Sequence, residues 1–365
     1  MLEKILSYYA ITPDAAIQPY GSGLINCTWK IRYLAEDYIL QKINQDVFKN
    51  PKDIADNIET IASWLEKNYP EYFFISPVKT KNGETMVHVP DEGYFRLFPF
   101  VKNSHSYDIV QSPMQAFEAA RQFGMFTKLL SDLPANSLKV TLPDFHNLTY
   151  RYTQFEQAIQ NGNLSRIQET REIIHFLRSH VHIVSIYKKI VSDTAFQADN
   201  YRLRVTHHDT KISNVLFDKD GKGICVIDLD TVMPGYFISD VGDMMRTYLS
   251  PVSEEEKEFN KIEVREDYFK AILQGYLEQM GTELTPEEVH HFVYAGMFMT
   301  YMQAIRFLTD YLNDDIYYGA SYEGHNYIRA KNQVILLERL LDKESILNDM
   351  VIETIAPLSA KNNKT

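Results

Sequence analysis

The first hundred residues follow the two-residue rhythm of strands, interrupted once by a helical stretch. Asn26 to Tyr33 (NCTWKIRY) alternates β-branched or aromatic residues with polar ones, and Tyr38 to Ile43 (YILQKI) follows the charged pair Glu36-Asp37. Two such runs across a short turn predict an antiparallel hairpin. Asn50-Pro51 then offers a capping residue and a proline suited to the first helical position. Ile54, Ile58, Ile61 and Leu65 recur at steps of four, three and four, the stripe of an amphipathic helix. Asn82-Gly83 marks a turn, and Met86–Val89 and Tyr94–Val101 read as two further strands. With a short strand before Gly21, the order is β-β-β-α-β-β.

Past Val101 the rhythm changes. A polar segment, Lys102–Ser106, reads as a hinge, and from Pro113 the apolar positions take helical spacing, as in Phe123, Phe126, Leu130 and Leu133. One island breaks this pattern. Val215–Phe217 and Ile224–Ile227, across the turn Asp218–Gly223, predict a second hairpin. Helices resume near Asp240 and continue past Leu340. The expected class is α+β: a strand-rich unit over residues 1–101 with one helix, and a larger, mainly helical unit over 102–365.

Composition narrows the function classes. The 365 residues carry 37 Lys and Arg against 49 Asp and Glu, a net charge of −12. That balance disfavours a nucleic-acid partner, which needs a basic face to release counterions. The two cysteines, Cys27 and Cys225, form no C-x-x-C pair and read as free thiols in a reducing compartment. Glu3 and Lys4 spoil the first segment as a signal peptide, and the uncharged run Ala295–Ile305 is far short of the ~18 residues a membrane helix needs. The expectation is a soluble, cytoplasmic protein, monomeric or a weak homodimer, with a small-molecule partner.

The candidate chemistry lies in the island. His207, Asp209 and Asn214 stand in the register H-x-D-x-x-x-x-N just before the hairpin, and Asp228 follows it directly. Three residue types at fixed spacing are a weak signal alone. Their setting sharpens it, because a short hairpin returns the chain on itself and brings Asp209, Asn214 and Asp228 to one cleft. Phosphoryl transfer uses such a set: a carboxylate to orient the acceptor hydroxyl, and hard oxygen ligands to hold Mg²⁺ against the phosphates. Read as a metal cluster, His207-His208-Asp209 lacks a legible third donor. His175, His180 and His182 read as ordinary histidines of a helical stretch, and Glu254-Glu255-Glu256 as a solvated helix start after Ser253.

This layout resembles the aminoglycoside phosphotransferase and choline kinase superfamily, relatives of the protein kinases, and within it the N-acetylhexosamine 1-kinases. The strings that carry the resemblance are Gly21–Asn26 (GSGLIN), Tyr38–Asn44 (YILQKIN), His208–Leu216 (HDTKISNVL), Ile227–Gly235 (IDLDTVMPG), Asp240–Asp243 (DVGD), Arg306–Leu312 (RFLTDYL) and Asn326–Ala330 (NYIRA). The resemblance implies a protein-kinase-like two-lobe fold and an ATP- and Mg²⁺-dependent kinase acting on the anomeric hydroxyl of an N-acetylhexosamine. It implies Asp209 as the base, Asn214 and Asp228 as Mg²⁺ ligands, and Asp230 as a contact to a second ion. It makes His207 a brace of the catalytic loop and Asp240 its anchor through backbone N–H groups. Gly21, Ser22, Gly23 and Asn26 would cover the nucleotide phosphates, with Phe98, Phe100 and Val101 along the adenine. The strand that usually carries a phosphate-binding lysine reads Leu40-Gln41-Lys42, so an inward Gln41 would contact phosphate through a neutral amide while Lys42 points away. Glu59 is the candidate partner on the preceding helix. For the acceptor the expected contacts are Asp243, Arg246, Tyr301 and Arg306, with Tyr317 as a lid. Other small acceptors on the same fold (choline, homoserine, another sugar, an antibiotic) and a catalytically silent nucleotide-binding module are the competing readings.

Overall fold

Five antiparallel strands pair in the order β1-β2-β3-β5-β4 in the computed structural model, which describes residues 2–12, 14–21 and 25–362. They are β1 (Ala16–Pro19), β2 (Cys27–Tyr33), β3 (Glu36–Lys42), β4 (Val87–Val89) and β5 (Gly93–Pro99). The β2–β3 turn falls at Leu34-Ala35, two residues before the charged pair that was expected to form it. Leu34 takes a positive φ of 55° there. Glu36 and Asp37 instead open β3, where the Asp37 carboxylate meets Lys30 at 3.0 Å and Arg32 at 3.1 Å across the hairpin. Opposite charges facing each other across a strand pair support the register.

A small core under the sheet joins Ile31, Leu40, Phe95 and Leu97 to Ile5 and Leu6 of a short N-terminal helix, Leu2–Ser7. The helix Pro51–Asn68 buries the stripe read from its sequence, but into the larger core of the helical half. Asn57 fixes it there: its side chain accepts from the Lys139 N–H at 2.7 Å and donates to the carbonyls of Lys139 and Val232. The polar segment after β5 is likewise held down. His105 and Phe217 exchange two backbone hydrogen bonds, of 3.0 and 2.8 Å, so this stretch is pinned to the hairpin that follows Asn214.

The helical half surrounds two small ribbons. β6 (Arg204–Thr206) pairs with β9 (Met233–Gly235), and β7 (Val215–Phe217) with β8 (Gly223–Val226). Behind them the helix Phe237–Tyr248 crosses the helix Phe292–Leu312, which is buried on nearly every side. Among the described residues no helix is long and apolar enough to span a membrane. A methyl at Gly242 would lie 2.3 Å from the Ala295 carbonyl oxygen, so only glycine permits this crossing. Both helices carry cleft residues, and the crossing sets their spacing. Gly242→Ala is therefore expected to cost about 1–3 kcal/mol by overpacking, read as a lower urea midpoint at unchanged slope. An unchanged midpoint would mean that the helices can part without cost.

Candidate active site

Between the sheet and the helical half lies a cleft of about 1900 Å³. A single small-ligand site usually takes roughly 300–1,000 Å³, so there is room for two ligands. Its floor is the segment His207–Asn214, and the helix Phe237–Tyr248 holds that segment by its backbone. Asp240, fully buried, accepts the His207 N–H at 3.0 Å and the His208 N–H at 2.7 Å on its two oxygens. Asp243 accepts the Thr210 N–H at 2.8 Å. The Thr210 hydroxyl donates to the Asp240 carbonyl, and the Tyr248 hydroxyl donates to the Thr210 carbonyl. Burial pushes the Asp240 carboxyl up to about 7, against the pull of its two N–H donors.

His207 ties this loop to the hairpin's far end. Its Nε2 donates to the Ile227 carbonyl at 2.9 Å, which leaves Nδ1 to accept the Asp209 N–H at 3.4 Å. Burial lowers its pKa, so it is a neutral brace between Asp209 and Asp228. Asp228 takes a left-handed conformation, φ 61° and ψ 64°, which turns its carboxyl into the cleft.

Four carboxylates crowd this floor, and three have their own cation. Asp209 Oδ2 meets Lys211 at 2.9 Å and the Asn214 amide at 3.0 Å. Burial opposes ionisation there, but Lys211 and Asn214 hold the Asp209 carboxyl below the usual range. Asp243 meets Arg246 at 3.0 Å, and Asp230 meets Arg96 at 2.5 Å. Asp228 alone has no ion pair or hydrogen bond among the described residues. Enclosure by the cleft walls, with Asp230 and Asp209 nearby, pushes its pKa up to about 7. Next to it Asn214 spends its N–H groups on Asp209, leaving Oδ1 without a partner among the described residues. No three His, Cys, Asp or Glu side chains among the described residues are grouped to hold an ion alone. Two hard oxygen donors beside an unbalanced negative charge suit a cation such as Mg²⁺, which binds few protein ligands and completes its shell with phosphates and water.

The nucleotide-side residues read from sequence mostly line one wall. Gly21, with φ 79°, Asn26, Gln41, Phe98, Phe100 and Val101 all border the cleft, whereas Ser22 and Gly23 lie outside the described residues. Lys42 lies outside the cleft, 5.8 Å from the Phe95 ring. Glu59 is no partner for this wall, because it sits on the surface 3.9 Å from Lys79. Asp230 also departs from its expected role as a metal contact. Its Oδ1 is taken by Arg96 and its Oδ2 by the Asn26 amide at 2.8 Å.

On the acceptor side the assignments divide. Arg246, Arg306 and Tyr317 line the cleft. Asp243 borders it too, but with one oxygen on Thr210 and the other on Arg246 it positions the loop. Tyr301 is not in the site. It is fully buried and donates to the Leu177 carbonyl at 2.8 Å, because five residues along a helix turn it to the face away from Arg306. Glu254 is no solvated helix residue: it lies in a turn and bridges Arg246 and Arg329. Arg306 has no acidic partner among the described residues. It donates to Gln303 at 3.1 Å, sits between the rings of Phe145 and Tyr318, and leaves its buried Nε–H unpaired. Asp310 accepts the N–H groups of Tyr317 and Tyr318 and so sets the rim beside it. Sequence reasoning had not singled out Lys211, Arg96, Gln303 or Asp310.

Fold and floor together have the layout of a kinase-like phosphotransferase. A family model described as the phosphotransferase enzyme family (APH) matches residues 16–280, and the chain belongs to that family. Among solved structures it is similar to a microcompartment-associated aminopropanol kinase, at TM-score 0.64 and 14% identity over 95% of this chain and 98% of that one. It is also similar to spectinomycin phosphotransferase in complex with ADP and its antibiotic, at TM-score 0.56, 14% identity and 97% of each chain. A Plasmodium vivax ethanolamine kinase aligns at TM-score 0.56 and 13% identity, over 94% of this chain and 89% of that one.

Asp240 is the anchor that can be tested without substrate. Asp240→Asn replaces one acceptor with a donor that faces a backbone N–H. The His207 and His208 amides are expected to exchange with solvent at least ~10-fold faster, since a buried bond is lost. Unchanged exchange would mean that other contacts hold the loop.

Proposed function

We propose that this phosphotransferase uses ATP and Mg²⁺ to phosphorylate the anomeric hydroxyl of an N-acetylhexosamine, giving the sugar 1-phosphate. The observation that carries this reading is the charge of the acceptor pocket. Arg246 and Arg329 are balanced by acids, whereas Arg306 lines the cleft with no acidic partner among the described residues. The amine substrates named for two of the similar structures would meet a like charge here. A neutral polyol with a carbonyl oxygen would instead satisfy the guanidinium, and Tyr317, two-thirds exposed at the rim, offers a ring to a sugar face. The nucleotide in a similar structure, ADP, supports ATP as the donor.

In this reading Asp209 presents Oδ1, which has no partner among the described residues, to the acceptor hydroxyl. Lys211 and Asn214 hold Oδ2 and fix the carboxylate plane. A depressed pKa makes Asp209 a weak base, which suffices for an anomeric hydroxyl, more acidic than an ordinary alcohol. Positioning and charge neutralisation supply the rest. Asn214 and Asp228 would hold Mg²⁺, which neutralises the phosphate oxygens when bound. The deciding experiment is incubation with ATP, Mg²⁺ and a panel of N-acetylhexosamines, hexoses, choline and ethanolamine, followed by phosphorus NMR. A signal split by an anomeric proton supports the proposal, and phosphorylation of the amines alone contradicts it.

Two further outcomes are expected. Arg306→Ala should raise the sugar KM at least ~10-fold, about 1.4 kcal/mol, with the ATP KM little changed. A rise in the ATP KM alone would move the sugar elsewhere. Asp228, with its pKa raised to about 7, must shed a proton to bind a cation. Mn²⁺ affinity in the presence of ADP should therefore climb about tenfold per pH unit below that value and level off above it. A flat profile from about pH 6 to about pH 8 would remove Asp228 from the cation site.

A further inference from the structure

The wall that should present a lysine to the phosphates presents a glutamine, and the structure pairs that glutamine with a buried arginine. Gln41 of β3 stands opposite Arg96 of β5 in the sheet register. Arg96 is 1% exposed, a costly place for a charge unless it is paired and hydrogen-bonded. It is both. Its Nε and Nη2 donate to one atom, Gln41 Oε1, at 3.0 and 2.8 Å, while Nη1 pairs with Asp230. A guanidinium has donors only, so it compels the amide to turn its oxygen inward. The Gln41 NH₂ is then left with no partner among the described residues, on a side chain that lines the cleft as Gly21 and Asn26 do. The same charge withdraws electrons from the amide oxygen and strengthens its N–H donors, as in other chained hydrogen bonds.

We propose that Gln41 is the strand donor to the nucleotide phosphates and that Arg96 is the positioning residue that aims it. Asp230 balances Arg96, and through Asn26 it ties the end of the glycine loop to the same network. The network thus does with an oriented amide what a lysine does with a free charge, and Asp230 serves this wall in place of the metal. The proposal rests on the nucleotide half of the functional reading alone. Its test is binding without acceptor or turnover, so it stands or falls independently of the sugar.

The test compares ADP with adenosine by calorimetry on the full chain. Gln41→Met and Arg96→Lys are each expected to weaken ADP binding about tenfold, the scale of a lost charge-assisted hydrogen bond, with adenosine changed less than about twofold. Because Arg96 acts through Gln41, the double variant should be no weaker than the worse single one. Losses that multiply in the double variant, unchanged ADP affinity, or equal losses for ADP and adenosine would each overturn the proposal. Should Arg96→Lys not fold, the unaltered chain still decides. Its Gln41 side-chain amide NMR signals, identified by their loss in Gln41→Met, should shift with ADP and not with adenosine. No ADP-specific shift, or no ADP binding at all, overturns it.

Discussion

One buried carboxylate, Asp240, holds the catalytic segment to the helix behind it. Two backbone N–H groups, of His207 and His208, end on its two oxygens, and buried backbone donors left without acceptors would cost about 1–3 kcal/mol each. Everything on the cleft floor inherits this fixed point. Asp243 takes the Thr210 N–H one turn along the same helix, His207 braces Ile227, and the short hairpin returns the chain to Asp228. The helix itself keeps its place because Gly242 lets it close on Phe292–Leu312, the helix that carries Arg306. Loop geometry and the cleft position of Arg306 therefore share one packed crossing.

Electrostatics then sorts four neighbouring acids into separate jobs. Asp209 and Asp243 pair with Lys211 and Arg246, two and three residues along the chain, and Asp230 pairs with Arg96 of the sheet, so all three are fixed in orientation. Asp228 is left unmatched and crowded by like charge. In a site for phosphoryl transfer that imbalance is useful, because a divalent cation binds most strongly where charge is least compensated. Arg306 is the mirror case, a cation on the cleft with no acidic partner among the described residues.

Much of this was legible in the residues. The hairpins, the stripe Ile54–Leu65 and the H-x-D-x-x-x-x-N spacing are local patterns, and local patterns survive folding. The misreadings came where a side chain's role depends on distant packing. Tyr301 and Arg306 share a helix, yet helical geometry sets them on different faces. Glu254 read as a solvated acid because its partners, Arg246 and Arg329, lie 8 and 75 residues away. The resemblance made Asp230 a contact to a second ion, and only the fold brings Arg96 and Asn26 onto it. Arg96 did leave a signal: a lone charge in the apolar run Tyr94–Val101, on the strand paired to Gln41. Lys211 also stood inside the motif, two residues after the base.

The central claim is that Asp209 takes the acceptor's proton while the rest of the floor positions and neutralises. The most direct measurement is turnover of Asp209→Asn, alongside its ATP affinity. The account predicts kcat lower by ~10²–10⁴-fold, the usual scale for a lost general base, with ATP binding almost unchanged. Turnover near that of the unaltered chain, with ATP still bound, would contradict it.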